Sequence, residues 1–472
     1  MNLELLNNEE LVKYLESKLS GFEETKAKMQ TGIDYYNYKQ AIDDKKRAVI
    51  GKNGNLITIK NLPNTIIKDN QYSRALDQKR SYVLSKRPNI NSKNKKAIDF
   101  LDGFIDNRFM RTLNKIAIDS YNTGYGWMYL YTDGKDIKYK RLDPLTVIPE
   151  WADDNHESLD AVIRVVSESE FEAAELKVKH YVYVYMLDGI KVFSYKDGKL
   201  AYLKDEQYLE KEGNLYSYKK LPFVYFKQPN EITLLDRIRC LQDALNLLLS
   251  NYADNMFENP MNSILVLKNY EGEDLGEFRE KLAQYAAIKV RTADGSDGGV
   301  DTLQVTVNSD NYKVIIELIK KAIAHNARSL YLDNDRTSNA PNTLNIKAMY
   351  SDMELDANDL ELEFTASFEY LFSWVADIVG IDFSDAEVKF KRSIMVNDES
   401  TIEMIRNSIG IISDETLVAA HPFVEDVSEE LKRIEKEKEK SLEYFDDYKN
   451  LGGEGHDHLL GKENRKAQQW NL

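Results

Sequence analysis

From Ile346 to Ile378 the apolar residues Met349, Tyr350, Met353, Ala357, Leu360, Phe364, Phe368, Leu371 and Val375 recur at helical spacing, and no proline or glycine interrupts them before Gly380. At ~1.5 Å per residue such a helix extends on the order of 55 Å. It must pack against something extended or against neighbouring chains. Two more helical runs precede it. From Ile232 to Phe257 a stripe passes through Leu235, Ile238, Leu241, Leu245, Leu248, Leu249, Tyr252 and Met256, and Pro260 ends it. From Asn311 to Leu332, Tyr312, Ile315, Ile316, Ile319, Ile323 and Leu330 form one face. Lys313, Glu317, Lys320, Lys321 and Arg328 share the other, at spacings that allow i,i+4 ion pairs. A polar segment, Asp333-Asn334-Asp335-Arg336-Thr337-Ser338-Asn339-Ala340-Pro341, leads into the long helix.

The remaining chain reads as α+β. Residues 3 to 37 are expected to be helical, with Asn8 as N-cap and a break at Ser20-Gly21. Leu56 to Ile59 reads as a strand after the Asn53-Gly54 turn, and helices follow from Gln71 to Ser85 and from Lys95 to Tyr121. The pattern then changes to period two, with strands expected near 126–131, 137–141, 161–166, 181–187, 191–195 and 223–226. Asp133-Gly134, Asp188-Gly189 and Asp197-Gly198 mark hairpins, and the clustered tyrosines fit strands. The insert at 259–309 predicts strands at 263–268, 288–290 and 303–307 with a helix at 274–285. After Gly380 come a strand at 387–391 and three helices, with Ser400 and Glu403 as a capping box, Ser413 as a cap and Ser428 as a start. Residues 451–472 read as a frayed tail.

A chain of 472 residues with 42% hydrophobic and 30% charged content folds into more than one domain. A lone cysteine, Cys240, excludes intrachain disulfides and cysteine metal clusters and fits a reducing compartment; its helical context predicts a small, at least half-buried hydrophobe. No apolar run approaches ~18 residues, so neither secretion nor a membrane span is expected. The net charge is −16, yet residues 43–96 hold fourteen Lys/Arg against four Asp/Glu. That basic stretch is either a solvated or subunit-facing surface or a nucleic-acid patch. The chain as a whole repels DNA, so any contact with it must be local or weak.

No phosphate loop, dinucleotide fingerprint, nucleophile elbow or zinc-helix motif is present. Gly295 to Gly299 opens no helix, His456 and His458 offer no closed metal shell, and pairs such as Asp43-Asp44 and Asp153-Asp154 lie beside turns. No catalytic residue, metal or cofactor is assigned, and an enzyme is not expected. The alternative is a metal-dependent DNA-processing enzyme that uses acidic residues with Mg²⁺.

Asp34-Tyr35-Tyr36, the segment from Asp77 to Pro88, Leu142-Asp143-Pro144 with Pro149, Leu245-Asn246 to Asn251, Ile264 to Asn269 and Ile412 to Pro422 follow one another in a particular order. With the plan of helix, insert, helix, loop and long helix, they resemble the tailed-phage portal (head–tail connector) proteins of siphophages of Gram-positive hosts. The resemblance implies a ring of about twelve copies at one capsid vertex, in the virion, assembled in the host cytoplasm. It implies a wing (1–229 and the long helix, 344–385), a stem (230–258 and 310–332), a clip (259–309), a tunnel loop (333–343) and a crown (386–450). Double-stranded DNA would pass weakly and without sequence preference along Asp333, Asn334, Asp335, Arg336, Thr337, Ser338 and Asn339, and past Lys313, Lys320, Lys321 and Arg328. Pairing of the helix lysines with Glu317 or between subunits is the competing reading. The clip, with Asn269, Glu271, Asp294 and Asp297, would meet the terminase large subunit and later a head-completion adaptor; capsid and scaffolding proteins are further implied partners. Twelve copies would carry −192, an acidic lumen along which DNA slides.

Overall fold

The computed structural model describes residues 3, 6–50, 55–58, 62–133, 136–172, 175–211, 214–258, 263–268, 299–304, 309–331, 343–392, 398–424 and 427–451. The chain divides into two units, Met1–Asn334 with Met349–Ile394, and Asp335–Ala348 with Met395–Leu472.

The first unit begins with α1 (Asn8–Tyr36), whose cap is Asn7 and not Asn8. The Asn7 side chain accepts the Glu10 N–H at 3.0 Å while Glu10 accepts the Asn7 N–H at 3.2 Å, a reciprocal box that fixes the start. The expected break at Gly21 does not occur. Gly21 lies on the exposed side, and burial of Leu11, Leu15 and Leu19 against a sheet outweighs the ~1 kcal/mol that one helical glycine costs.

Strands β1 (Ala48–Ile50) and β2 (Leu56–Thr58) pair antiparallel, and α2 (Gln71–Leu84) is capped by Asn70. After β3 (Asn89–Asn91), the single helix expected over 95–121 is two: α3 (Lys95–Phe104) and α4 (Asn107–Thr123). Asp106 makes the break, since its carboxylate accepts the Phe109 N–H at 2.7 Å and caps a new helix. Gly124, at φ 87°, ends α4 in the left-handed region.

The β-rich part runs β4 (Tyr125–Asp133), β5 (Asp136–Leu142), β6 (Val147–Trp151), β7 (Leu159–Glu172), β8 (Glu175–Met186), β9 (Gly189–Lys196), β10 (Lys199–Glu206), β11 (Leu209–Lys211), β12 (Asn214–Tyr216) and β13 (Phe223–Lys227). A five-stranded antiparallel sheet has the order β10-β9-β8-β7-β6, and a three-stranded one β13-β4-β5. The six strands read from alternation are all present. β6, β10, β11 and β12 escaped notice; β7 extends further than expected because its outer half, Ser167-Glu168-Ser169-Glu170, carries no apolar alternation, while β8 starts earlier, at Glu175, where Leu176 and Val178 do alternate with charged residues. Asp197 (φ 51°) and Gly198 (φ 79°) make the left-handed turn that the Asp-Gly pair predicts. One cluster packs α1 on Ile163, Val184 and Phe193; a second joins the sheets through Tyr125, Trp127, Tyr185 and Phe223. The tyrosines thus serve the joint between sheets, as in the edge-on Tyr185–Phe223 contact at 4.8 Å.

Next come α5 (Leu234–Glu258), β14 (Ser263–Lys268) and β15 (Gly299–Gln304), then α6 (Ser309–Asn326) and α7 (Thr343–Val379). β14 and β15 pair antiparallel from Ser263↔Gln304 to Lys268↔Gly299, so the later strand starts at Gly299 and not at Leu303. The helix and strand expected over 274–285 and 288–290 lie outside the described residues. The long helix is continuous and ends at Gly380 (φ 70°). It buries Phe364 on Phe226 (5.2 Å), Phe368 on Phe109 (6.0 Å) and Trp374 on Tyr218 (4.9 Å). β16 (Glu387–Lys389) then pairs with β3, and Arg392 folds back onto Glu354, Asn358 and Glu361 of α7.

In the second unit, α8 (Asp398–Asn407), α9 (Asp414–Ala420) and α10 (Val427–Leu451) follow one another. Ser413 caps α9 as read, accepting the Thr416 N–H at 3.3 Å. Ser400 lies inside α8 and is not its cap, because the helix begins at Asp398.

At Gly32, where α1 crosses α4, a Cβ would stand 2.1 Å from the Asn122 carbonyl oxygen. Gly32→Ala is expected to lower unfolding stability by about 1–3 kcal/mol. Gly21→Ala, with nothing within 4 Å, is expected to raise it by up to ~1 kcal/mol. Denaturant titration of both variants tests the pair, and equal effects would contradict this packing.

Candidate functional site

Helices α5 and α6 lie antiparallel. At one end Asn255 donates to the Tyr312 hydroxyl at 3.1 Å and the Tyr252 and Tyr312 rings sit 4.8 Å apart. At the other, Arg237 of α5 and Arg328, just past α6, reach the same Asp356 carboxylate of α7, at 3.0 and 3.9 Å.

The face of α5 opposite water is polar along part of its length. Gln242, Asn246, Ser250 and Asp254 recur every four residues and are all buried. Their partner is the extended segment that precedes α2. The Thr65 N–H donates to Asp254 at 2.7 Å, the Ile67 N–H to Ser250 at 3.0 Å, the Asp69 N–H to Asn246 at 3.0 Å and the Tyr72 N–H to Gln242 at 3.1 Å. Four helical residues rise ~6.0 Å and two extended residues ~6.6 Å, so alternate amides meet successive turns. The last rung falls in the first turn of α2, where the Tyr72 N–H has no helical partner, while the Gln71 N–H turns back to the Asp69 carbonyl at 2.9 Å. Gln242 Nε2 also donates to that carbonyl, at 2.8 Å. An apolar α5 face would leave these amides unsatisfied, at ~1–3 kcal/mol each.

The bottom rung carries charge. Lys45 Nζ lies 2.6 Å from Asp254 and Arg47 3.5 Å. Burial pushes the Asp254 carboxyl up, but Lys45 and the Thr65 amide outweigh it and hold it below its ordinary value. Much of the basic stretch at 43–96 is likewise committed internally: Lys68 to Asp43, Lys79 to Asp356, Arg80 to Asp77 and Arg87 to Asp102.

The stem cations read from sequence separate into two kinds. Lys320 pairs with Asp69 at 2.7 Å, not with Glu317, which ties α6 to the segment held by α5. Arg328 pairs with Asp359 at 3.5 Å and Asp356 at 3.9 Å; it lies in a left-handed turn (φ 50°) beyond α6, which ends at Asn326 and not at Leu332. Lys313 and Lys321 are exposed. Ile323 and Leu330 of the expected stripe are buried, whereas Ile315 faces solvent with Val314 and Leu318. Cys240 is exposed and not half-buried, because it lies off the side of α5 that carries Ile238 and the polar ladder. Asp333, Asn334, Asp335, Arg336, Thr337, Ser338 and Asn339, and likewise Asn269, Glu271, Asp294 and Asp297, lie outside the described residues. The ladder itself was missed, although a polar residue at every fourth position inside an apolar helix was its signal.

Among the described residues no group of His, Cys, Asp and Glu is arranged to hold a metal ion, and no helix is long and apolar enough to cross a membrane. A mixed α+β body from which two antiparallel helices carry a strand-containing insert, followed by one very long helix, is the arrangement that the resemblance to phage portal proteins implies. The chain belongs to the phage portal family of the SPP1 Gp6-like type, which it matches over residues 15–444. It is similar to the portal protein of Clostridium phage phiCD119, 27% identical over 444 residues that cover 90% of this chain and 95% of that one. It is also similar to the portal protein of Bacillus phage SPP1, 26% identical over 430 residues, covering 86% and 82% respectively. Its role is therefore that of a portal protein, and portal proteins are virion components.

Asp254→Ala removes the partner of a buried Lys45 and is expected to cost about 3–5 kcal/mol. The wild-type advantage should be complete above about pH 4, where the unfolded carboxyl is ionised, and fade as the pH falls through the depressed folded value. Urea titrations of both proteins across pH 2–7 check this; a constant difference would contradict the ionised rung.

Proposed function

We propose that about twelve copies of this chain close into a ring at one capsid vertex and form the channel through which double-stranded DNA is packaged and ejected. The observation that carries the reading is the braced pair α5 and α6: the ladder and the Lys320–Asp69 bridge fix both helices to the body, while large apolar side chains on them remain exposed. Leu318 is 60% exposed on α6, and Leu355 and Leu362, seven residues apart on α7, are 62% and 74% exposed. Such a seam suits a neighbouring copy.

In this reading 1–229 and 344–385 are the wing, 230–258 and 310–332 the stem, 259–309 the clip, 333–343 the tunnel loop, 386–450 the crown and 451–472 a tail. The terminase large subunit docks on the clip around Asn269, Glu271, Asp294 and Asp297, and a head-completion adaptor later takes its place. Capsid and scaffolding proteins surround the ring. Exposed Lys313 and Lys321 make transient phosphate contacts in a lumen that the net charge keeps acidic. Lys320 and Arg328 reach phosphate only by giving up their acidic partners.

Purified protein should show closed rings in negative stain and no ATP hydrolysis without terminase. Monomers alone at every salt and protein concentration would refute the assembly. Arg336→Ala, or deletion of 333–341, should leave rings intact and reduce the yield of DNA-filled heads several-fold; full yield would remove this loop from the mechanism.

A further inference from the structure

Besides its buried stripe, α7 carries a second repeat. Asp352, Leu355, Asp359, Leu362, Ala366 and Glu369 are all exposed and follow one another at alternating steps of three and four residues. That is the spacing by which one helix seats against another. Its two leucines are among the most exposed large apolar side chains of the protein, which marks a face that suits a partner helix.

Helix α4 has a seam of the same spacing and the opposite charge. Arg108, Arg111 and Lys115 are exposed, and half-buried Ile118 comes next in the series. Among the described residues none of these three cations has an acidic partner, and neither Asp352 nor Glu369 has a basic one, whereas Asp359 holds Arg328. The two helices pack on each other within one copy, the Phe109 ring of α4 lying 6.0 Å from the Phe368 ring of α7. At ~100° per residue the three cations lie roughly 100–160° around α4 from Phe109, and the acidic seam about 100–180° around α7 from Phe368. The two seams therefore face away from each other and cannot meet within one chain. A patch that matches a different patch on the far side of the same molecule makes a head-to-tail contact, which generates a ring when the rotation closes.

We propose that the exposed seam of α7 in one copy docks on the basic seam of α4 in the next. Leu355 and Leu362 cover the aliphatic stems of Arg111 and Lys115, and the charged ends of Arg108, Arg111 and Lys115 pair with Asp352 and Glu369. The basic seam alone would also suit DNA, but an acidic, leucine-bearing seam of matching spacing on the same body favours a second copy. The inference rests on the ring proposed above for the presence of a neighbour; it adds which two faces meet.

Three charge-reversed proteins test the pairing at low salt: Arg108→Glu with Arg111→Glu, Asp352→Lys with Glu369→Lys, and all four changes together. Each pair alone sets like charges face to face and should lower the fraction of protein in closed rings at least tenfold, read by negative stain and size-exclusion chromatography. The four together restore opposite charges and should bring rings back to within twofold of wild type. Wild-type yield from either pair alone would overturn the contact, as would a fourfold variant no better than the pairs. Loss of DNA binding with rings intact in Arg108→Glu/Arg111→Glu would assign the seam to nucleic acid and overturn it too. If the reversed proteins do not fold, carbodiimide coupling in wild-type rings mixed from light and isotopically heavy protein decides: Lys115 should be joined to Asp352 or Glu369 of another copy, and other cross-copy links without this one would refute the pairing. Wild-type monomers under all conditions would refute the ring and this contact with it, whereas wild-type rings indifferent to reversal would refute the contact alone.

Discussion

An extended chain cannot lie in a protein interior unless its amides find acceptors. Among the described residues the segment at 65–69 pairs with no strand, and the side chains of one helix take the strand's place. Asp254, Ser250 and Asn246 offer an acceptor at successive turns, in step with every second amide from Thr65 to Asp69, and Gln242 takes the Tyr72 N–H at the start of α2. The ladder joins the first third of the chain to α5, and Lys320 extends the joint to α6 through Asp69. Without it the two helices would meet the body through Leu234, Leu235, Ile238 and Leu245 of α5, the apolar residues near the end of α6, and polar contacts such as Arg237–Asp356 and Tyr35–Asp243.

The joint also explains how an acidic protein carries a basic stretch. Lys45, Lys68 and Lys79 are spent on Asp254, Asp43 and Asp356, so part of the basic stretch at 43–96 is internal wiring.

Periodicity revealed the parts whose partners do not matter. The stripe of α7 needed only an apolar surface to face, and residues such as Leu360, Phe364 and Phe368 are buried as read. The alternating strands were visible for the same reason. Hidden from the sequence were features that depend on a specific distant partner: the ladder, whose rungs join residues 170 or more apart in the chain, and Lys320, which prefers Asp69 to its helical neighbour Glu317. Arg328 looked like one more helical cation; the turn at Ala327 takes it off the helix and onto α7. The family order of short motifs was legible in the sequence.

The ladder reads backbone on one side and side chains on the other, and this asymmetry divides the evolutionary freedom of the two strands of the joint. At Thr65, Ile67 and Asp69 the contact is a peptide N–H, which nineteen of twenty amino acids provide; proline alone is barred from the rung. At Asn246, Ser250 and Asp254 the acceptor belongs to the residue itself, so drift there breaks the rung. Related portals should therefore diverge more freely along the first line, Asp69 excepted because its carboxylate holds Lys320, and slowly along the second, with proline as the one letter missing from the permissive side.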